Sequence, residues 1–471
     1  MRGFTLRRPP LSCRTSPPQG GRSAALRSSL LLQRWRLAKA ETKADLPPRG
    51  GDVRQDRGGQ RRAPLLAGVL LFMSFLAALP ASAQNVTSQF QTWLQNDLWP
   101  DARARGVSQE TFNAAFGGVS PNLKLPDLVM PGQSSQTPKV QHQAEFGAPG
   151  NYFAENIVSG VTGGGRSRAG QLGQALGAIE GRFGVPSGIL LAIWGRESGF
   201  GNANIPHNAF EVLGTKAFMA TRKDMFREEV LAALEMVQRG HVSVAAMKSS
   251  WAGALGQPQF LPTSYLKYAV DADGNGRADI WGSQVDTLAS IANYLASHGW
   301  VKGRDWGFEV TVPESVSCAL EGPDRGKRIS EWEAMGVARV SGRPFPEHEA
   351  RQEGFLLMPA GRSGPAFIVT PNFYVLKEYN ESDLYALFVG HAADRIAYGD
   401  RRFAGSWGRV AKLYRSDIAA MQRGLERLGY DVGGADGLPG FRTRRSIGEW
   451  QARDGRAPTC FPDAELVRAL G

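Results

Sequence analysis

The sequence predicts a mainly α-helical protein that carries a small β-sheet subdomain and a second, small helical unit near its C-terminal end. Helical periodicity dominates residues 167–300, where apolar residues recur at intervals of three and four. Between about 301 and 374 the pattern changes to short β-prone pieces separated by Gly and Pro, such as "GFEVTVP" and "PAFIVT". Helical periodicity returns in 381–399. The β pieces therefore form an insertion in, or a cap on, a helical domain.

The first 83 residues are typical of a leader and a secretory signal. Residues 1–63 are rich in Arg, Ser, Gly and Pro without hydrophobic periodicity, which predicts disorder or a translation start downstream of Met1. Residues 64–83 have an apolar core and a small-x-small ending, "ASA", which predicts a secretory signal that is cleaved after Ala83. A retained membrane anchor is the weaker alternative, because the apolar run is short for a spanning helix. No cysteine follows the cleavage position, so no lipid anchor is indicated.

The net charge of +11 suggests a nucleic-acid or anionic partner, but its distribution argues against one. Residues 1–63 hold 15 Lys/Arg and 4 Asp/Glu, so the rest of the chain carries 40 residues of each sign. The exported part is therefore neutral, and nucleic-acid binding loses its main support.

Residues 84–116 have a helical pattern in which four apolar side chains, Phe90, Trp93, Leu94 and Leu98, share one stripe. A passage rich in Pro, Gln and Ser follows in 121–143 and is typical of a surface connection.

The stretch "GVPSGILLAIWGRESGFG" (184–201) predicts a helix that places a glutamate on its apolar side. Ile189, Ile193 and Glu197 are spaced i, i+4, i+8, so they share one face. Arg196 is a sequence neighbour and points elsewhere on a helix. A carboxyl on an apolar face loses hydration of its charged form, which favours protonation and suits a general acid. The alternative is a structural glutamate paired with a distant Arg or Lys.

The segment "SSWAGALGQPQFLPTSYLKYAV" (249–270) alternates small residues with aromatic ones. Small residues allow a ligand to approach the backbone, aromatic faces stack on sugar rings, and Ser250 or Gln259 can bind hydroxyls. The pattern therefore indicates a carbohydrate cleft. Tight helix packing with core aromatics, from Trp251 to Tyr268, is the alternative.

The following stretch, "DADGNGRADIW", matches a calcium-binding loop at positions 1, 3, 5, 6 and 9. The matching residues are Asp271, Asp273, Asn275, Gly276 and Asp279, with the carbonyl of Arg277 at position 7. Position 12 is Gly282 where a bidentate glutamate is expected. The sequence predicts structural Ca²⁺, and an Asx-rich turn without metal is the alternative.

Two cysteines, Cys318 and Cys460, remain after the predicted leader. They could form one disulfide across domains in an oxidising compartment, or both could stay free. Neither lies in a pattern of zinc-ligand spacing.

Four motifs together resemble the lytic murein transglycosylase B family, glycoside hydrolase family 103. The motifs are "IWGRESGFG", "SSWAGALGQPQFLPTSYLKYAVDADGNGRADIW", "SIANYLASHGW" and "FYVLKEYNESDLYALFVGHAADRI". The resemblance implies a lysozyme-like helical catalytic domain over 84–412, a β subdomain at about 301–374 and a substrate groove. It implies that Glu197 is the single catalytic acid/base. The groove-lining positions that it implies are Ser250, Gln259, Tyr294, Tyr379 and Asn380, and the calcium loop also occurs in the family.

The same resemblance implies cleavage of peptidoglycan glycan strands between N-acetylmuramic acid and N-acetylglucosamine, with closure of a 1,6-anhydro ring and without a cofactor. A muramidase that uses water and a second acid, such as Glu211 or Glu228, is the alternative within enzymes. A non-catalytic wall-binding protein is the alternative outside them.

Residues 415–471 resemble the small three-helix peptidoglycan-binding domain of wall enzymes. Met421, Leu425 and Leu428 make an apolar helical stripe, and the turn-rich "GGADGLPG" precedes a second helix. A tethered wall-binding unit raises the effective concentration of substrate. The resemblance implies a monomer that acts on glycan strands, together with cell-wall synthesis or division proteins as partners. It leaves open endo or exo cleavage and the stem-peptide preference.

Overall fold

The computed structural model of the protein describes residues 81–133, 148–408 and 412–471. The predicted leader (1–63) and the predicted signal peptide up to residue 80 lie outside these residues. Within the described ranges, no single helix combines the length and apolar composition of a membrane span. Two consecutive helices, Gly173–Phe183 and Ser187–Ser198, have this length and composition only when taken together, and the angle between them is 109°.

The described residues form a mainly helical architecture with a small five-stranded sheet and a helical C-terminal unit, as the sequence predicts, together with a two-stranded pairing. The helices of the main body are α1 (Ala81–Trp93), α2 (Trp99–Ala104), α3 (Gln109–Phe116), α4 (Glu155–Gln171), α5 (Gly173–Phe183), α6 (Ser187–Ser198), α7 (Ala209–Met219), α8 (Lys223–Gln238), α9 (Pro262–Tyr268), α10 (Gln284–Ser297), α11 (Ile329–Ala334), α12 (Glu347–Ala350), α13 (Pro371–Tyr379) and α14 (Asp383–Tyr398). The C-terminal unit has α15 (Arg415–Arg427), α16 (Phe441–Arg453) and α17 (Ala464–Leu470). A π-helical turn, Leu94–Leu98, joins α1 to α2.

Helix α6 lies at the centre of the main body. Its residues 189–195 are all buried, so it is apolar on every side, as expected of a core helix. Pro186 precedes its first turn and Gly199 ends it at φ +57°, a left-handed conformation that glycine adopts without strain. Helices α4, α10 and α14 pack against it. The predicted start and end of this helix are therefore confirmed.

Strands pair in two antiparallel sheets. The strands are β1 (His207–Asn208), β2 (Lys248–Ser249), β3 (Gly307–Thr311), β4 (Lys327–Arg328), β5 (Ala338–Arg339), β6 (Glu353–Leu357) and β7 (Ala366–Val369). β1 pairs with β2, and the other five follow the order β4-β6-β7-β3-β5. The larger sheet lies within the region where the sequence predicts β structure.

The larger sheet is buried on both faces because its side chains alternate between two cores. Phe355, Leu357, Phe367 and Val369 point to the helical core. Leu356 and Ile368 point to a second core with Trp332 and both cysteines. The sheet therefore lies between the core of the helical body and the second core, which contains both cysteines.

The C-terminal unit packs on that outer side. Cys318, beside the sheet, and Cys460 form a disulfide, which decides between the two alternatives that the sequence leaves open. Arg445 of α16 forms an ion pair with Asp324. The unit is therefore fixed to the β subdomain.

Polar side chains organise the C-terminal unit internally. Gln422, fully buried, accepts a hydrogen bond from the Gly437 amide and donates to the Leu438 carbonyl and to Thr443. Met421 and Leu425 lie in its core, whereas Leu428 is 54% exposed. The predicted apolar stripe is thus wrong at Leu428, because the helix ends at Arg427.

Glu229 of α8 is a buried carboxyl that holds the start of α9. It accepts hydrogen bonds from the amide and the hydroxyl of Thr263, at 2.9 and 2.8 Å. Burial raises the pKa of Glu229 to about 7. The folded state therefore binds a proton more tightly than the unfolded state does, and the stability that this provides is lost as pH rises through about 7.

We expect the melting temperature of the parent chain to fall relative to that of Glu229→Gln as pH rises from 5 to 8, because the uncharged amide accepts from the Thr263 amide with its oxygen and donates to the Thr263 hydroxyl with its nitrogen. Thermal unfolding followed by circular dichroism at each pH measures this difference. The matched control is Glu110→Gln, an exposed glutamate in the first turn of α3. A Glu229→Gln variant with the same pH dependence as the parent would contradict the prediction.

Candidate active site

Glu197 lies in the last turn of α6, half-buried, where the core helix reaches the surface. Its Oε1 accepts a hydrogen bond of 2.7 Å from the hydroxyl of Tyr385, on α14. Among the described residues, Glu197 has no ion-pair partner and its Oε2 has no hydrogen bond. The structural ion pair, which was the alternative for this glutamate, is therefore absent from the part of the chain that the structure describes.

Arg196 points away from its neighbour, as the helical geometry predicts. Its guanidinium lies over the rings of Tyr152 and Phe388, with centroid distances of 4.5 and 4.6 Å. This cation–π arrangement fixes the last turn of α6 without neutralising Glu197.

Tyr385 is buried, and burial together with the nearby charge of Glu197 raises its pKa well above the ordinary value. Its hydroxyl therefore stays protonated and donates to the carboxylate. One oxygen of Glu197 is held in this way, while the other has no hydrogen bond among the described residues. This arrangement leaves a positioned carboxyl that can give or accept a proton. Tyr385 lies 188 residues from Glu197, and although one of the four family motifs contains it, the sequence pattern predicts no role for it.

Tyr385 begins a row of aromatic rings that leads away from Glu197. Tyr379 is parallel to Tyr385 at 6.4 Å between centroids, and Tyr294 follows at 5.0 Å. Tyr268 and His298 lie at 4.9 and 4.1 Å from Tyr294. We call these five side chains the aromatic row. It brings two predicted site residues, Tyr294 and Tyr379, into one group with the partner of Glu197.

Both predicted tyrosines are buried and use their hydroxyls within the protein, and the predicted Asn380 is buried as well. Tyr294 donates to the Glu378 carbonyl at 2.7 Å, and Tyr379 donates to the Pro258 carbonyl at 2.6 Å. Asn380, next in the chain, accepts a hydrogen bond from the Ser382 amide. These contacts fix the segment 379–385 against the loop that contains Pro258.

Ser250 and Gln259, the other two predicted site residues, lie half-buried in that loop. Ser250 Oγ accepts a hydrogen bond from the Ala254 amide, and Gln259 Nε2 donates to the Gly256 carbonyl. Gln259 has φ +55°, a conformation that is uncommon for a residue with a side chain and that often occurs at functional sites. Phe260 and Tyr265 are buried in the core, so the prediction of open sugar-stacking faces is wrong for these two.

Gln257, which sequence reasoning did not single out, holds the loop in place. Its Oε1 accepts from Trp194 Nε1 of α6 at 2.8 Å, and its Nε2 donates to the Trp281 carbonyl. The loop with Ser250 and Gln259 is thereby attached on one side to α6, the helix of Glu197. On the other side it is attached to residues 271–281, the predicted calcium-binding loop, which we call the calcium-type loop.

In the calcium-type loop, Asp271, Asp273 and Asp286 bring carboxylate oxygens within 4.8 Å of one another. Asp286, in the first turn of α10, is fully buried and accepts hydrogen bonds from the amides of Ala272, Asp273 and Asp279. The sequence template ends at Gly282 and misses this residue. Asp271, Asn275 and the predicted Asp279 all accept local amide hydrogen bonds: Asp271 from Gly274, Asn275 and Gly276, Asn275 from Arg277, and Asp279 from Trp281.

The two alternative acids have structural contacts. Glu211 accepts a hydrogen bond of 2.7 Å from Asn122, and Glu228 pairs with Arg105 at 2.7 Å. Neither contacts Glu197, so the described contacts place neither of the two alternative acids at this site.

A carboxyl at the end of a buried helix, with a small sheet on one side of the helical body, is the arrangement that the resemblance to lysozyme-like enzymes implies. Residues 89–394 match the family described as "Transglycosylase SLT domain", and 414–470 match "Putative peptidoglycan binding domain". The chain belongs to the transglycosylase SLT family and carries a C-terminal peptidoglycan-binding domain.

Individual relatives agree with this assignment. The chain is 32% identical over 216 residues to the membrane-bound lytic murein transglycosylase B of Escherichia coli (strain K12), and the match spans 46% of this chain and 58% of that relative. Two crystal structures of SltB3 from Pseudomonas aeruginosa, in complex with NAG-anhNAM-pentapeptide and with NAG-NAM-pentapeptide, are 36% identical, with TM-scores of 0.72 and 0.73. Each match covers 81% of this chain and 99% of SltB3. The soluble lytic transglycosylase SltB1 from the same organism is 26% identical over 66% of this chain and 98% of its own, with a TM-score of 0.51.

We expect Tyr385→Phe to lower the turnover of peptidoglycan about 10- to 100-fold, because a hydrogen bond to a charged group contributes about 1.5–3 kcal/mol. Steady-state release of soluble fragments measures this loss. Tyr398→Phe is the matched control, since Tyr398 lies on the same helix as Tyr385 but is 81% exposed. Parental turnover in Tyr385→Phe would show that the hydrogen bond does not serve the chemistry.

Proposed function

We propose that this protein is an exported lytic transglycosylase that cleaves the β-1,4 bond between N-acetylmuramic acid and N-acetylglucosamine in peptidoglycan strands. The products would carry 1,6-anhydromuramic ends, and the reaction would serve cell-wall remodelling or turnover. The single observation that carries the proposal is the carboxyl of Glu197, which has no ion pair among the described residues and is oriented by Tyr385.

The proposed reaction uses this carboxyl twice. Protonated Glu197 first gives its proton to the glycosidic oxygen while an oxocarbenium-like state develops at C1 of the muramic residue. The resulting carboxylate then accepts the proton of the muramic C6 hydroxyl, whose oxygen bonds to C1. Because the attacking hydroxyl belongs to the substrate, the reaction needs neither a second carboxyl for water nor a cofactor. Tyr385 favours the ionised intermediate by donating to Oε1.

The substrate-binding roles of Ser250, Gln259, Tyr294, Tyr379 and Asn380 are part of the proposal. Ser250 and Gln259 are half-exposed and can present polar groups to the glycan. Tyr294 and Tyr379 bond to backbone carbonyls, which supports a role in shaping the groove with their rings. The SltB3 complexes, which hold fragments with and without an anhydro end, support the choice of substrate.

Residues 84–412 would form the catalytic domain and 415–471 the peptidoglycan-binding domain. We place the mature protein in the periplasm, after cleavage of 64–83, as a monomer without a lipid anchor. Wall-synthesis or division proteins are its proposed partners.

We expect the chain 84–471 to release 1,6-anhydromuropeptides from purified sacculi and Glu197→Gln to release none, since the amide cannot donate the proton. Mass spectrometry of the released fragments measures this, with Glu211→Gln as the control that keeps activity.

Two other outcomes would contradict the proposal. Fragments with reducing muramic ends would identify a muramidase that uses water. Tight binding to sacculi without any release would identify a wall-binding protein.

We also propose a structural Ca²⁺ at Asp271, Asp273 and Asp286, with Asn275, Asp279 and the Arg277 carbonyl as further ligands from the predicted loop. Three convergent carboxylates and neutral oxygens are the donor set that Ca²⁺ prefers. The ion would stiffen a loop whose Ile280 and Trp281 carbonyls bind Gln257, and Gln257 holds the loop of Ser250 and Gln259.

We expect Ca²⁺ to raise the melting temperature of the parent chain, because a ligand at about 100 times its Kd stabilises by about 2.7 kcal/mol. Asp273→Asn and Asp286→Asn should abolish this rise, whereas Glu228→Gln should keep it. Calorimetric titration measures Ca²⁺ binding, and thermal unfolding with and without chelator measures the rise in melting temperature. A parent chain that binds no Ca²⁺ would favour the metal-free Asx turn.

A further inference from the structure

The C-terminal unit reaches the candidate active site through one buried arginine. Arg444 of α16 is 2% exposed, and its guanidinium forms two hydrogen bonds with Glu321, beside the sheet. Its Nη2 also lies 3.0 Å from Oδ2 of Asp383. One side chain of the C-terminal unit therefore holds carboxylates from two parts of the main body.

Asp383 opens helix α14, the helix that carries Tyr385. Its other oxygen pairs with Lys377 of α13, so Asp383 is fixed by one cation from the main body and one from the C-terminal unit. Ser382 caps the same turn by accepting from the Tyr385 amide. Residues two apart point in different directions on a helix, so Asp383 faces Arg444 while Tyr385 faces Glu197.

We propose that Arg444 is a positioning residue for the reaction, acting through Asp383 and the first turn of α14 on the hydroxyl of Tyr385 and so on Glu197. The inference rests on the proposed function. It assigns the peptidoglycan-binding domain a second role, since its helix α16 sets the geometry of the catalytic carboxyl as well as tethering the enzyme to the wall. Removing Arg444 leaves the buried Glu321 and Asp383 without their shared cation, and the turn that carries Tyr385 shifts.

Arg445 provides a matched control one residue away. It belongs to the same helix and interface, where it binds the Glu321 carbonyl and the carboxylate of Asp324, but it does not contact Asp383. A change at Arg445 weakens the packing of the same two units without touching the turn of Tyr385. The disulfide between Cys318 and Cys460 keeps the units joined in both variants.

The test compares Arg444→Met and Arg445→Met in the full exported chain, with a soluble peptidoglycan fragment as substrate so that wall tethering contributes nothing. Arg444→Met should lower kcat about 10-fold or more with KM within about twofold, because small displacements of a catalytic group cost up to about 100-fold. Arg445→Met should change neither by more than about twofold. Arg444→Lys should recover part of the loss.

A double-mutant cycle with Tyr385→Phe tests the route. If Arg444 acts through Tyr385, Arg444→Met adds little to the loss already caused by Tyr385→Phe. Additive losses would overturn the inference. So would equal losses in the two arginine variants, or a change in thermal unfolding alone.

Should Arg444→Met fail to fold, Asp383→Asn decides, since it leaves the pair of Arg444 and Glu321 in place. It must lower kcat in the same way, and an unchanged kcat overturns the inference. The proposed function fails separately, when the parent chain releases no anhydro product.

Discussion

Helix α6 is buried on every side until its last turn, and this burial is the constraint on which the candidate site depends. A helix whose residues 189–195 are all inside the core cannot tilt or slide without opening cavities, so its end is fixed in space. Gly195 lets the ring of Phe200 fold back against the helix, where a Cβ would lie 2.6 Å from a ring carbon. The apolar packing of α6 thus sets the position of Glu197, and the hydrogen bond from the Tyr385 hydroxyl sets the orientation of its carboxyl group.

Elements that are distant in sequence hold the surroundings of Glu197 in place through hydrogen bonds and ring packing. Gln257 attaches the loop of Ser250 and Gln259 to α6, and the calcium-type loop holds Gln257 from behind. The aromatic row adds support through ring packing and backbone hydrogen bonds. The chemistry proposed for one carboxyl therefore relies on surroundings in which most polar groups already have protein partners.

Local patterns predicted the parts of this arrangement that local forces determine. Pro186 and Gly199 mark the ends of α6, and the change in periodicity after residue 300 marks the sheet, because both follow from backbone preferences and side-chain alternation. Asp286 was missed because a fixed template ended at Gly282, before the loop continued into α10. The hydrogen bond from Tyr385 to Glu197 could not be predicted, because it depends on how two distant segments pack. The contacts of Arg444 with Glu321 and Asp383 depend on packing as well, and arginines are rarely buried, so a sequence gives no reason to expect one in a core.

The cluster of Arg444, Glu321 and Asp383 restricts how this protein can evolve. Small wall-binding units are exchanged among enzymes as modules, which requires an interface that tolerates new neighbours. Here, loss of the unit would remove the cation that Glu321 and Asp383 share and would leave Cys318 without its disulfide partner. A transplanted copy would likewise lack both carboxylates that Arg444 binds. The two units must therefore change together, because domain shuffling at this junction breaks these ion pairs and the disulfide.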